Sequence, residues 1–283
     1  MQSLSYMQVD VKEIYALTEA LKTGSGYDFG NYSTNSLRRR IIKIMNEFRI
    51  SFRDLLERVN TDALFREEVV KKITVNTTDL FRDTNLWLSI REHVLPRFAK
   101  NEKIYIWHAG CSTGQEVYSM MIMLEEMNLL DKAEISATDL NTDVLRIARN
   151  GAFKYQFNTD YISNFDKVIN SDPGGKFIPH SRYFETDPVN GRILMKDFLK
   201  QKPDFHKFDL VTGETKFKRK FDIVVCRNVI IYFNQELQNR VIDLFYRNMN
   251  QNACLILGMH ETIIDPPAAL FTKRNRIYYK RMD

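Results

Sequence analysis

Apolar positions along this 283-residue chain fall into two textures. Over roughly the first 75 residues they recur at helical spacing: Leu37, Ile41, Ile44 and Phe48 stand at i, i+4, i+7 and i+11. Phe52, Leu55, Leu56 and Val59 repeat the pattern, and so do Phe65, Val69 and Ile73. Asn35-Ser36 and Thr61-Asp62 offer capping side chains ahead of two of these runs. From about Ile104 the texture becomes short continuous apolar runs, each followed by helical spacing. Ile104–Ala109 precedes a helix expected over about 116–127, and Ile135–Asp139 precedes one begun by Asn141-Thr142. Phe221–Cys226 precedes one over about 235–249, and Cys254–Gly258 is a fourth run. Short buried strands alternating with helices predict a parallel sheet with helices on both faces. Residues 153–220 lack a clean period; Asp172-Pro-Gly-Gly175 and Asp187-Pro188…Asn190-Gly191 mark turns there, the second able to close a small hairpin. The expected fold is α/β: a small all-α N-terminal domain over 1–80, then a doubly wound domain over 81–283 with a small inserted β hairpin at about 180–199.

Composition narrows the class. The length is about twice that of a typical domain, in keeping with two. Apolar residues make up 44% and charged residues 27%, which suits a globular chain with a core and not a disordered or fibrous one. The longest apolar runs, Val229–Phe233 and Ala253–Met259, fall far short of the about 20 residues of a membrane span. Met1 to Lys12 alternate polar and apolar with no basic start and no apolar block, so no signal peptide is expected. The three cysteines, Cys111, Cys226 and Cys254, are widely spaced without a C-x-x-C pair, which points to a reducing, cytoplasmic setting and to small core residues. A net charge of +5 suggests an anionic partner without choosing between nucleic acid, a membrane surface and an acidic protein. Part of that charge is local. Arg38, Arg39, Arg40, Lys43, Arg49, Arg53 and Arg58 outnumber Glu47, Asp54 and Glu57, a net of +4 over 37–58. Residues 200–220 also carry +4 and read as surface.

Ligands of a doubly wound sheet bind beyond the carboxyl ends of its strands, so the residues there are the candidates. The first strand leads into Gly110-Cys-Ser-Thr-Gly114 and then Gln115-Glu116, where two glycines allow a tight turn before a helix N-terminus. The loop matches neither G-x-G-x-x-G nor G-x-x-x-x-G-K-[ST], and alone it does not distinguish a ligand cradle from an ordinary strand-to-helix turn. The second strand ends in Ala137-Thr-Asp139, where a carboxylate can accept both hydroxyls of a ribose or simply cap the next helix. The loop and the acid together favour a nucleoside-containing ligand, and the missing diphosphate cradle favours S-adenosylmethionine over NAD. The third strand ends in Cys226-Arg-Asn-Val-Ile-Ile-Tyr-Phe233, placing Arg227, Asn228 and Tyr232 among apolar neighbours, where polar groups need partners. Ahead of the sheet, Asn76-Thr-Thr-Asp-Leu-Phe-Arg-Asp83 puts Arg82 before the stripe Leu86, Ile90, Val94. It reads as a segment that closes over a site, or as a linker with a surface arginine.

Taken together, these segments resemble a family. Asn76-x-Thr78-x-x-x-Arg82, Ala109-Gly-Cys-Ser-Thr-Gly-Gln-Glu116 with Tyr118-Ser119, Thr138-Asp139 and Cys226–Phe233 occur in the order and spacing of CheR-type chemotaxis receptor O-methyltransferases. The resemblance runs from about Tyr27, where Gly26-Tyr-Asp-Phe and Leu37-Arg-Arg-Arg-Ile41 are similar to the family's N-terminal domain. It implies a Rossmann-like S-adenosylmethionine-dependent methyltransferase domain that forms glutamyl methyl esters on receptors, leaving S-adenosylhomocysteine. Asn76, Thr78, Arg82, Gly110, Glu116, Asp139, Arg227 and Asn228 are then implied at the cofactor, with Asp209-Leu210 near the adenine, and Arg82 and Tyr232 around the methyl transfer. Arg38, Arg39, Arg40, Lys43, Arg49 and Arg53 are implied to dock acidic cytoplasmic receptor helices. A monomer recruited to receptor arrays is implied, with no metal, nucleic acid or membrane insertion. The chemistry suits these residue types, since a glutamate is already ionised at neutral pH and needs no general base.

The sequence departs from the family in two places. Family members that bind a receptor's C-terminal pentapeptide carry a glycine-rich hairpin after Arg-Tyr-Phe. Here the segment is the shorter Arg182-Tyr-Phe-Glu-Thr-Asp-Pro-Val-Asn-Gly191, which argues against tail tethering. The family's Gly-His-Ser-Glu is here Gly258-Met-His-Glu261, which moves His260 by one residue and leaves its role open. Asp265-Pro-Pro-Ala268 lacks the aromatic that would stack on a flipped base, so a nucleic-acid methyltransferase is disfavoured. His93, His108, His180 and His206 show no metal-ligand spacing. A protein that binds S-adenosylmethionine without catalysis and signals by contact is the alternative from another class.

Overall fold

The computed structural model describes residues 9–74, 76–154, 161–214 and 217–281. Of the stretch read for a signal peptide, residues 1–8 lie outside the described residues, as do 215 and 216 of the basic stretch 200–220. The chain divides into two compact units, Met1–Val75 with Ile230–Arg240, and Asn76–Val229 with Val241–Asp283.

The first unit is helical. It contains α1 (Val11–Ser25), α2 (Thr34–Phe48), α3 (Phe52–Thr61) and α4 (Ala63–Ile73). The apolar stripes that predicted three of these helices are buried: Leu37, Ile41 and Ile44 on α2, Leu55 and Val59 on α3, Phe65, Val69 and Ile73 on α4. Asp62 caps α4 as expected, accepting from the Leu64 and Phe65 amides at 2.9 and 3.0 Å. Asn35 and Ser36 do not cap α2, which starts at Thr34 after Ser33. Ser33 is drawn out of the helix by its own amide, which donates to the Tyr232 carbonyl at 2.8 Å. Asn234 likewise donates to the Asn31 carbonyl, and the Tyr32 ring lies 5.0 Å from both Phe29 and Phe233. These contacts make Ile230–Arg240 part of the helical unit.

The second unit opens with α5 (Thr84–Ser89), continued by a π-helical turn Ile90–Val94. Strands and helices then alternate: β1 (Ile104–Ala109), α6 (Gln115–Glu126), β2 (Ala133–Asp139) and α7 (Thr142–Asn150). The stretch without a clean period holds β3 (Ala152–Lys154), α8 (Tyr161–Ile169), β4 (Phe184–Asp187), β5 (Arg192–Met195) and α9 (Asp197–Lys200). β6 (Pro203–Lys207) and β7 (Phe221–Cys226) follow, then α10 (Gln235–Arg247), whose first residues belong to the helical unit. β8 (Met249–Leu257), β9 (Phe271–Arg274) and β10 (Ile277–Lys280) complete the chain. The main sheet has seven strands in the order β6-β2-β1-β7-β8-β10-β9. The first five are parallel; β10 runs antiparallel to β8 and to β9, so the sheet is mixed and not wholly parallel as expected. The chain winds outward from β1 to β2 and β6, then returns to β7 and β8 on the other side. That reversal at β1 opens a crevice beyond the strands' carboxyl ends. The predicted hairpin forms as β4 and β5, its turn closed by Asn190 on the Asp187 carboxylate, and β3 adds a third strand beside β5.

Trp107 of β1 is wholly buried, with the rings of Phe208, Phe217, Phe221 and Phe245 5.0 to 5.8 Å away. Its indole N–H donates to Thr138 Oγ1 at 2.9 Å, so no polar atom of the ring is left dry. Truncating such a side chain costs about 3–5 kcal/mol. Two of those rings come from the stretch read as surface: Phe208 follows the sheet strand β6, whose Phe205 is also buried. That is a correction. Lys207, Lys218, Arg219 and Lys220 are exposed around an apolar thread.

Candidate functional site

Beyond β1 the chain turns through Gly110 (φ 79°), Ser112 (φ 51°) and Gly114 (φ 94°), three left-handed residues in five. The Gly110 and Cys111 amides both donate to the Thr138 carbonyl, at 2.8 and 2.9 Å, which fastens the loop to the end of β2. Gly110 has no room for a side chain, because a Cβ there would meet Val229 at 2.4 Å. Its immediate structural role is to admit Val229. A Cβ on Gly114 would meet that of Ala148 at 2.9 Å, so this glycine lets α6 and α7 approach.

Asp139 ends β2 and is buried. Its carboxylate accepts from the Ser112 amide at 2.8 Å and the Asn141 amide at 2.9 Å, one per oxygen. Each oxygen keeps a lone pair for a further donor. Burial pushes the Asp139 carboxyl above its ordinary value, against the pull of those amides. Nearby, Ser112 Oγ is buried with no hydrogen-bond partner among the described residues. Phe208 donates its amide to the Asp139 carbonyl, so the turn carrying Asp209 and the buried Leu210 stands beside it at the end of β6. Asp209 is tied back to the Val211 amide at 2.9 Å.

A second cluster centres on Arg227, just past β7. The sequence reading placed Arg227 toward a ligand. Its side chain is only 2% exposed, and its guanidinium reaches Asp83 at 2.8 Å, Glu116 at 3.3 Å and the Arg82 carbonyl at 2.7 Å. A buried guanidinium demands carboxylates, and the fold supplies two. Glu116, in the first turn of α6, is also met by His108 Nδ1 at 2.9 Å. Burial alone would raise the Glu116 carboxyl, but the His108 hydrogen bond and the Arg227 charge hold it below its ordinary value. The cluster thus sets two carboxylates, Glu116 and Asp83, around the Arg227 guanidinium and the His108 ring.

Arg82 is thereby held by its backbone. Its carbonyl also accepts from the Trp87 indole at 2.9 Å, and the preceding Phe81 amide donates to the buried Ser119 hydroxyl at 2.8 Å. Both of its neighbours, Phe81 (φ 52°) and Asp83 (φ 61°), adopt a left-handed conformation that non-glycine residues rarely take. The half-buried guanidinium of Arg82 donates to the Thr77 carbonyl at 3.4 Å, in the same segment as the half-buried Asn76 and Thr78.

Asn228 follows Arg227 and is also left-handed, with φ 59°. The turn is held by Glu261, a buried carboxylate that accepts from the amides of Asn228 at 2.8 Å, Val229 at 2.9 Å and Gly258 at 2.6 Å. A Cβ on Gly258 would fall 2.7 Å from Glu261 Oε2 and 2.9 Å from the Asn228 nitrogen, so the clamp requires glycine there. His260 is exposed. The structure thus gathers Arg82, Gly110, Glu116, Asp139, Asp209, Leu210, Arg227 and Asn228 onto the carboxyl ends of β1, β2, β6 and β7. Sequence reasoning assigned no role to Asp83, His108 and Glu261. Asp83 and Glu261 lie within quoted motifs, but their partners stand 144 and 33 residues away.

In the helical unit, Tyr232 is half-buried in a 3-10 turn. Arg38 donates Nε to the Val9 carbonyl at 2.9 Å and Nη1 to Asn35 at 3.1 Å, which ties α2 to the chain ahead of α1. Arg39, Lys43, Arg49 and Arg53 are exposed and Arg40 is half-buried. Among the described residues no helix is long and apolar enough to cross a membrane.

Two family descriptions match the chain: "CheR methyltransferase, all-alpha domain" over residues 12–74 and "CheR methyltransferase, SAM binding domain" over residues 76–277. Cher3 of Pseudomonas putida, named as a methyltransferase, is 34% identical over 252 residues, covering 89% of each chain. A chemotaxis protein methyltransferase of Listeria monocytogenes is 27% identical over 271 residues, covering 95% of this chain and 97% of its own. Chemotaxis protein methyltransferase 1 of Vibrio cholerae is 29% identical over 256 residues, covering 86% of each. The residues present fit S-adenosylmethionine. Asp139 keeps lone pairs for a vicinal diol, Ser112 Oγ has no partner among the described residues, and Glu116 and Asp83 place two carboxylates at the carboxyl edge of the sheet, which suits a cationic ligand.

Proposed function

The chain belongs to the CheR methyltransferase family, and from that premise we propose that it transfers a methyl group from S-adenosylmethionine to glutamate carboxylates on the cytoplasmic helices of chemotaxis receptors. When bound, S-adenosylmethionine supplies an electrophilic methyl group on a cationic sulfur. Asp139 accepts the ribose hydroxyls, with Asp209-Leu210 beside the adenine at the end of β6. Glu116, held ionised by His108 and Arg227, favours the donor's positive charge. Asn76, Thr78 and Asn228 complete the polar lining. Arg82 orients the acceptor carboxylate by charge-assisted hydrogen bonding, and Tyr232 bounds the transfer path. The acceptor is ionised at neutral pH, so the chain need supply no general base.

The observation that carries this reading is the sorting of charge on the carboxyl edge of the sheet. A buried cluster with two carboxylates to one guanidinium suits a cationic donor. Next to it, the half-buried Arg82 suits an anionic acceptor. Arg39, Arg40, Lys43, Arg49 and Arg53 on the helical unit would hold the acidic helix that bears the acceptor. Methyl-labelled donor with receptor-bearing membranes tests it. Wild-type protein should label a receptor-sized band, and Arg82→Ala should lose about 1.5–3 kcal/mol of turnover efficiency, roughly 10–100-fold. Unchanged transfer by Arg82→Ala would remove Arg82 from the reaction.

A further inference from the structure

The β9–β10 hairpin carries charge that the site above does not use. β10 runs antiparallel to β8, with Tyr278 opposite Leu255, so it begins where β8 ends. The hairpin turn, Asn275 (φ 49°) and Arg276 (φ 65°), therefore stands on the same edge of the sheet as Gly110, Asp139 and Asn228. Ser89 Oγ donates to the Asn275 carbonyl at 3.1 Å, fastening the turn to the helix that follows Arg82.

A hollow of about 260 Å³ lies here, lined by Leu86, Gly258, Met259, Glu261, Lys273 and Arg276 among others. Its charge is unbalanced. Glu261 is engaged by three backbone amides of the Asn228 turn. Lys273, Arg274 and Arg276 are exposed, and among the described residues none of them meets a carboxylate. Among the described residues Arg276 donates to the Met259 thioether, a weak acceptor, at 3.0 Å, and Lys273 pairs with Tyr278, as a hydrogen bond to its hydroxyl and with the ammonium 4.8 Å from the ring centroid. Elsewhere on this unit some surface cations do meet carboxylates, as Arg247 with Asp243 and Lys200 with Asp197. Three cations that meet no carboxylate among the described residues, beside a hollow and on the edge where the acceptor must enter, form a receptor for anions supplied by a partner.

We propose that Lys273, Arg274 and Arg276 anchor acidic side chains that flank the acceptor glutamate on the substrate helix. This rests on the reading of the acceptor as a glutamate of an acidic protein helix. On such a helix, residues three and four apart share a face, so one glutamate can be presented while its neighbours contact the hairpin. The hairpin would then select glutamates in acidic surroundings.

The test is fluorescence anisotropy with a labelled helical peptide bearing glutamate at every fourth position, beside its glutamine counterpart, using the full chain. Wild-type protein should bind the glutamate peptide and not the glutamine one. Lys273→Glu with Arg276→Glu should weaken that binding about tenfold, with donor affinity by calorimetry unchanged. The neutral pair Lys273→Gln with Arg276→Gln, expected to weaken it about threefold, decides the matter if charge reversal upsets the hairpin. Undiminished binding by both variants, no binding by wild-type protein, or stronger competition from a single-stranded oligonucleotide than from unlabelled glutamate peptide would each overturn the proposal. The readout needs no methyl transfer. Hairpin-dependent peptide binding by a protein that forms no methyl ester would sink the glutamate-methylation reading and leave the anionic surface standing.

Discussion

Charge is used in opposite ways in the two units. In the α/β unit, Arg227, Glu116, Asp139 and Glu261 are buried or nearly so, and each is held by named partners that fix the loops beyond the strands. In the helical unit, Arg39, Lys43 and Arg53 stand on exposed surface of α2 and α3. A buried charge serves geometry: removing one member strands its partners in a poor solvent. An exposed charge adds little to stability and is free to meet something else. The same residue type, arginine, is thus buried among carboxylates at 227 and exposed at 39.

Removing the most buried cation presses this contrast hardest. Arg227→Met should strip the guanidinium from Glu116 and Asp83 and cost about 3–5 kcal/mol, read as a fall in the urea midpoint, with donor binding lost in parallel. A cost under about 1 kcal/mol would mean the cluster is not the keystone described. Glu261→Gln comes next. It keeps one acceptor but turns an amide group toward backbone N–H donors, and it should cost about 1–3 kcal/mol and weaken donor binding through the Asn228 turn.

The pH dependence of stability sharpens the comparison inside the α/β unit. Glu116 has a folded value below its ordinary 4.5, so its pairing adds stability above that pH and loses it as pH falls through the folded value. The gap in unfolding free energy between wild type and Glu116→Gln should therefore be widest near neutrality and close below 4.5. Asp139 runs the other way. Its folded value is raised above the ordinary 3.8, so its ionisation subtracts stability as pH climbs from 3.8 through the folded value. Glu116 meets the His108 ring and the Arg227 guanidinium, whereas Asp139 meets backbone amides that do not offset its burial, which is why the signs differ. The smallest stability effect belongs to the exposed face. Arg39→Glu with Lys43→Glu should change unfolding by no more than about 0.5 kcal/mol while raising KM for the receptor substrate in a salt-dependent manner.

Much of this arrangement is visible in the chain before folding, for reasons of range. α2, α3 and α4 announce themselves because each buries one stripe, and β1 and β7 because both faces of each are covered. β6 escapes because it begins at Pro203 and carries Asp204 and Lys207, with Phe205 its one fully buried residue. Gly110, Glu116 and Asp139 were legible because loop and acid positions follow from where strands end. Roles fixed by distant partners were not. Asp83 acquires its part from Arg227, 144 residues on, and Glu261 from amides 32 and 33 residues back. Ile230–Arg240 joins the helical unit through Ser33 and Asn31, some two hundred residues earlier, and no local period records that.

The central claim is that a carboxylate on a protein receives the methyl group. It is tested most directly by mild alkali after transfer from methyl-labelled S-adenosylmethionine to receptor-bearing membranes. The account predicts label on a receptor-sized band that alkali releases as volatile methanol. Label that survives alkali, or donor bound with no label transferred, would contradict it.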